Sequence, residues 1–127
     1  MKRLLLLFFF FPFFVFGYDS PVSFDLIKVN DSNYKLKISV PKGYAIQKTA
    51  PNKIKLSGND GLKVISFEDT LKGPLYLDKP EYFKSVEDLN IKLKGKGELS
   101  IDSRIFYCDL DKGVCYPARI KRKEKVF

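Results

Sequence analysis

Hydrophobic and polar residues alternate along most of this chain with a period of two, which is typical of half-buried β-strands. The alternation is clearest from Tyr34 to Val40, where the intervening positions are lysine and serine, and from Leu89 to Leu93. Shorter pieces show the same period at residues 22–26, 54–56, 62–64, 99–101, 105–107 and 118–126. The pattern therefore predicts a chain made largely of short strands.

Turn-forming residues separate these strands at close spacing, at residues 30–32, 41–43, 57–61 and 95–97. The one segment with helical periodicity, residues 81–88, is only one or two turns long. Seven or so short strands with frequent turns are typical of sandwiches of about 110 residues. We therefore predict an all-β, immunoglobulin-like antiparallel β-sandwich.

The N-terminus differs from the rest of the chain. Lys2 and Arg3 precede an apolar run at residues 4–16, and Gly17 follows it as a small residue suited to cleavage. An uncleaved anchor is the alternative, but the run is shorter than the ~20 residues of a membrane-spanning helix and Pro12 interrupts it. We predict a signal peptide at residues 1–17, one domain at 18–127, export to the periplasm and no stable membrane span after cleavage.

Composition removes several classes of function. The chain has no His and no Trp, which excludes a Ser-His-Asp triad and any metal site that uses imidazole. Its net charge is +8, and its densest basic run is residues 119–125. Such a run could contact anionic lipid or nucleic acid, but the apolar phase of Ala118, Ile120 and Val126 favours a final strand with a basic outer face. We expect no nucleic-acid partner and no cofactor.

The two cysteines are the remaining candidates for chemistry. Cys108 and Cys115 enclose six residues that include Asp and Gly, which predicts a hairpin tip with the thiols within disulfide reach. Three interpretations compete: a structural disulfide, worth about 2.5 kcal/mol in the chain-entropy model, a two-thiolate metal site, or a redox-active pair. A closed zinc site needs four ligands, so we expect no metal. Spacing alone leaves the structural disulfide and the redox pair open.

The motif Cys108-x6-Cys115-Tyr116-Pro117 resembles the active-site hairpin of the N-terminal periplasmic domain of the thiol:disulfide interchange protein DsbD. Weaker similarity extends upstream, at residues 40–44 and 50–52. The resemblance covers nearly all of residues 18–127, and it implies the immunoglobulin-like fold that the alternation predicts. The electron-conducting and thioredoxin-like domains of full DsbD lie outside it, so electrons would come from a separate protein.

The resemblance implies that Cys108 and Cys115 are a redox pair and that Cys115 forms the mixed disulfides, with Tyr116 and Pro117 facing the partner. It also implies a cap loop over the pair. The matching stretch is residues 67–73, where we expect Phe67 and above all Leu71 to shield the thiols. The implied partners are thioredoxin-like redox proteins acting in trans and oxidised exported proteins. The alternative is a binding or adaptor domain in which the disulfide is only structural.

Overall fold

The chain folds into two antiparallel β-sheets, described over residues 20–127 by a computed structural model. The predicted signal peptide lies outside the described residues. The strands in chain order are β1 (Ser23–Lys28), β2 (Asn33–Ser39), β3 (Tyr44–Ile46), β4 (Lys53–Asn59), β5 (Lys63–Phe67), β6 (Leu89–Lys94), β7 (Gly97–Asp109) and β8 (Val114–Val126). This is the all-β, immunoglobulin-like antiparallel sandwich that the alternation predicts. Within the described part of the chain no residue is helical, and residues 82 and 83 of the helix-like segment form isolated β-bridges instead.

One sheet has the strand order β1-β2-β6-β5. In the other sheet, β7 pairs with β8 along one side. On its other side, β7 pairs first with β4, through residues 98–104, and then with β3, through residues 107–109. Alternate residues of each strand enter the space between the sheets, as Leu89, Ile91 and Leu93 do on β6. Burial of each such side chain contributes roughly 1.5–3 kcal/mol relative to exposure. The core that results takes residues from both sheets: Phe24, Leu36, Ile46, Leu89, Ile91, Leu93, Leu99, Ile101 and Ile105 are nearly or fully buried.

β7 and β8 are the longest strands, with 13 residues each, and they pair over their whole length. The sequence pattern divides β7 into two pieces because polar Ser103 interrupts its apolar phase. In the structure Ser103 is buried, and its hydroxyl donates a hydrogen bond to the Ile120 carbonyl at 3.1 Å. A polar residue with its own partner can remain in a core, so β7 continues unbroken to the cysteines.

Arg122 connects the outer strand of one sheet to the other sheet. Its guanidinium donates to the Phe24 carbonyl on β1 and, at 2.7 Å, to Glu124. β8 is thus anchored to the sandwich near its C-terminal end, far along the strand from Cys115. A search of residues 20–127 finds no helix with the length and apolar character to span a membrane.

Candidate functional site

The two cysteines lie opposite each other at the tip of the β7–β8 hairpin. Cys108 and Cys115 are direct register partners, their Cα atoms are 3.9 Å apart, and a disulfide joins them. Asp109 forms the turn beyond them: its carboxylate accepts from the amides of Asp111 and Lys112, and its carbonyl accepts from Gly113. Gly113 has a φ of +67°, a left-handed conformation that glycine adopts without strain. Local turn chemistry therefore brings the two sulfurs together.

The backbone groups of the two cysteines point in opposite directions. In an antiparallel ladder, the N–H and C=O of one residue point to the same side, and this side alternates along the strand. Phe106 uses the β3 side: its carbonyl accepts from the Gln47 amide at 2.9 Å, and its N–H is also satisfied there. Cys108, two residues further, therefore directs its backbone groups to its β3 partner, Ala45. The cysteines form a non-hydrogen-bonded pair of the β7–β8 ladder, and Cys115 directs its groups to the far side of β8.

That far side is an open edge, because within residues 20–127 the only strand paired with β8 is β7. The two cysteines also differ in their exposure to solvent. Cys108, between β3 and β8, has 0% of its surface accessible, whereas Cys115 is exposed. An attacking thiolate could therefore reach the sulfur of Cys115 more readily than that of Cys108.

Asn52 holds β7 in place just before Cys108. Its carboxamide accepts a hydrogen bond from the Phe106 N–H at 2.7 Å and donates one to the Gln47 carbonyl at 2.8 Å. Gln47 and Phe106 would exchange both backbone bonds in a regular ladder, but only one is direct, and the Asn52 side chain bridges the other. The carboxamide thus replaces a peptide group where the chain leaves β3 to reach β4. Sequence reasoning missed this role, because nothing local indicates a bond to a residue 54 positions away.

Tyr116 and Pro117, predicted to face a partner, are both exposed. The Tyr116 ring lies 5.6 Å from the ring of Tyr107, which in turn lies 5.9 Å from that of Tyr44, so aromatic rings connect β8, β7 and β3. Since Tyr107 and Tyr116 are direct register partners, their rings occupy the face of the hairpin opposite the disulfide.

Pro117 lies two residues after Cys115 and does not interrupt the ladder between β7 and β8. Pairing continues without interruption through Phe106 and Pro117. Phe106 directs its backbone groups to the β3 side, so the pair is a non-hydrogen-bonded one, and the N–H that proline lacks would have pointed to the open edge. Pro117 therefore removes a donor from the exposed edge of β8 and leaves the β7–β8 ladder intact.

The two cap candidates belong to the other sheet and the loop after it. Phe67 ends β5, pairs with Ile91 and is half-buried against the core. Leu71 is also half-buried, and it lines an open cleft of about 850 Å³ together with Asn52. The structure thus brings Cys108, Cys115, Tyr116 and Pro117 together, and it places Leu71 on the cleft that Asn52 also borders. The shielding role of Phe67 and Leu71 stays a prediction.

Comparison with known proteins gives a structural likeness only. The fold is similar to the crystal structure of the N-terminal domain of DsbD from Neisseria meningitidis in the reduced form, with a TM-score of 0.48 and 15% sequence identity. The likeness covers 83% of this chain and 85% of that one. No family model matches the chain, and no curated protein matches it. Among residues 20–127, no group of three or more potential metal-binding side chains lies close together.

Proposed function

We propose that this chain is an exported, periplasmic thiol–disulfide exchange domain. It relays reducing equivalents from a thioredoxin-like donor to oxidised exported proteins through Cys108 and Cys115. The observation that carries the proposal is the asymmetry of the pair: an exposed cysteine on an edge strand is bonded to a fully buried cysteine on a central strand. Exchange requires one accessible sulfur to react and a second to resolve the intermediate, and it needs no histidine and no cofactor.

The reaction has two steps in each direction. A donor thiolate attacks the sulfur of Cys115, the Cys108–Cys115 bond breaks, and Cys108 leaves as a thiolate that takes up a proton. The second thiol of the donor then loses its proton and, as a thiolate, attacks the donor sulfur of the mixed disulfide. This step forms the donor's own disulfide and releases Cys115 as a thiolate. The donor is oxidised by two electrons and the pair is reduced. With an oxidised acceptor the Cys115 thiolate attacks first, and Cys108 resolves the mixed disulfide.

A structural disulfide in a binding or adaptor domain is the competing function. Closing this short loop contributes only about 2.5 kcal/mol in the chain-entropy model, a modest gain for two strands that already pair through 13 residues each. An exposed cysteine on an edge strand also leaves a structural bridge more open to attack. The reduction potential separates the two functions. A potential below about −300 mV would mark a structural bridge, whereas a carrier falls in the range of its exchange partners.

Single-cysteine variants test the two roles. With Cys108→Ala, Cys115 should accumulate a long-lived mixed disulfide with a thioredoxin-like protein, because no second thiol can resolve it. The matched Cys115→Ala variant should accumulate little, since Cys108 is buried. Non-reducing electrophoresis and mass spectrometry measure both adducts. An adduct only with Cys115→Ala would reverse the assignment, and an adduct with neither variant would favour the structural disulfide.

A further inference from the structure

The outer face of the β7–β8 hairpin carries both the disulfide and a concentration of positive charge. Even-numbered residues of β7 lie on this face, opposite the phase of buried Leu99, Ile101 and Ile105. Their register partners on β8 share the face, so Cys115 and Pro117 are in phase with the exposed basic residues Arg119, Lys121, Lys123 and Lys125. β4 adds Lys53 and Lys55 on the other side of β7.

Along β7 on this face, the charges nearest the disulfide are three cations that lie directly side by side; the other nearby charges, Asp109, Asp111 and Lys112, belong to the hairpin turn. Lys53 is the register partner of Arg104, which is the partner of Arg119, and all three residues are exposed. We call these three residues the cation row. Like charges directly opposite each other destabilise a sheet, so the pairing within this row does not stabilise the fold. The next row, Lys55, Asp102 and Lys121, contains an anion, and Asp102 forms a 3.5 Å ion pair with Arg119.

The cation row lies four residues along β7 from Cys108, which corresponds to about 13 Å at the usual rise of a strand. Phe106 and Pro117 occupy the row between the cations and the cysteines. A partner domain that brings its own sulfur to Cys115 is wide enough to reach the cation row, because a domain of 100 residues has a radius of gyration of about 13 Å. Phe106 and Pro117 are thus apolar residues next to the reacting cysteine, and the charges lie further out. This order matches the apolar centre and polar rim of protein interfaces.

We propose that this face is the docking surface for the redox partner, and that the partner carries acidic side chains about 13 Å from its reactive cysteine. The proposal rests on the exchange function proposed above. An acidic protein suits the face better than an anionic membrane does. A bilayer seated on the cation row would cover the neighbouring Cys115, whereas a protein partner must contact both.

Two activated peptides test the docking surface. Each carries one cysteine as a neutral 2-thiopyridyl disulfide, and they differ only in having glutamate or glutamine at the positions that would meet the cation row. Attack by the Cys115 thiolate of the fully reduced chain releases 2-thiopyridone, and Cys108 then releases the peptide thiol and restores the disulfide. At low salt we expect the acidic peptide to react roughly tenfold faster, an advantage that high salt abolishes, as in electrostatically steered association.

Arg104→Glu is the test variant and Lys92→Glu its control. Arg104→Glu places an anion between two cations, so stability should hold or rise while the preference for the acidic peptide disappears. Lys92 is an exposed lysine of β6 in the other sheet, and Lys92→Glu makes the same change in net charge. It should leave the preference within about twofold, because Lys92 lies in the other sheet, away from the face that carries the cation row and Cys115.

Four outcomes would overturn the docking surface. Equal rates for both peptides would refute it while leaving the exchange function intact. An equal loss of preference in Lys92→Glu would show an effect of net charge alone. Binding to vesicles rich in phosphatidylglycerol at physiological salt, abolished by Arg104→Glu, would identify a membrane surface instead. Failure of the unmodified chain to react with either peptide would refute the exchange function and the docking surface with it.

Discussion

Replacing Asn52 with alanine tests whether one side chain completes the sheet beside the buried cysteine. The change removes the acceptor for the Phe106 N–H and the donor for the Gln47 carbonyl. Each hydrogen bond contributes a net of about 1 kcal/mol, so we expect the free energy of unfolding to fall by about 2 kcal/mol. For a domain of this size the melting temperature should fall by roughly 8 °C.

Urea unfolding measures the loss, and hydrogen exchange locates it. In the unmodified chain the Phe106 amide should be protected to nearly the global free energy of unfolding, because its partner is a side chain inside the sheet. In Asn52→Ala this amide should exchange much faster. The protection of amides paired between β7 and β8 should fall only by as much as the global free energy of unfolding falls. Local loss of protection would show that the carboxamide acts at the position where the structure places it.

Asn59→Ala provides the matched control. Asn59 also lies on a strand and makes one long-range hydrogen bond, from its amide to the Ser100 hydroxyl at 2.9 Å, but both groups are exposed. Water can replace such a bond, so the loss should be within about 0.5 kcal/mol. If Asn52→Ala were no more destabilising than Asn59→Ala, or left Phe106 protected, the bridge would contribute nothing and the reasoning would be refuted.

Two further predictions concern the cap and the N-terminus. Leu71→Ala should speed the oxidation of the reduced pair by small oxidants such as hydrogen peroxide, and it should lower stability by about 2 kcal/mol for the lost packing against the core; an unchanged oxidation rate would remove the shielding role. The exported protein should begin at Tyr18, and N-terminal sequencing that found Lys2 on a membrane-bound form would show that the signal peptide is retained.

The strands and the hairpin could be predicted because alternation and turn residues are local properties of the chain. Tyr34 to Val40 and Leu89 to Leu93 largely coincide with β2 and β6, and the spacing of the cysteines places them opposite each other. What could not be predicted depends on the neighbouring strands. Alternation gives the face on which a side chain lies, but it does not tell which strand the N–H and C=O of Cys108 or Cys115 point toward. That direction depends on β3 and on Asn52, which are distant in sequence.

The position of the disulfide in the sheet can account, without histidine, for the different roles proposed above for the two cysteines. On central β7, Cys108 has backbone partners on one side and the disulfide on the other, and it is fully buried. On edge β8, Cys115 faces an unpaired side, and Pro117 has already removed one donor there that could promote unspecific strand pairing. A central strand does not by itself bury a side chain, because Arg104 lies on the same face of β7 and is exposed; Cys108 differs in lying between Ala45, which is also buried, and the disulfide. A buried cysteine bonded to a cysteine on an open edge is therefore an arrangement that suits the proposed exchange: the cysteine on the edge can bond to a partner, and the buried one lies next to it and can resolve the mixed disulfide.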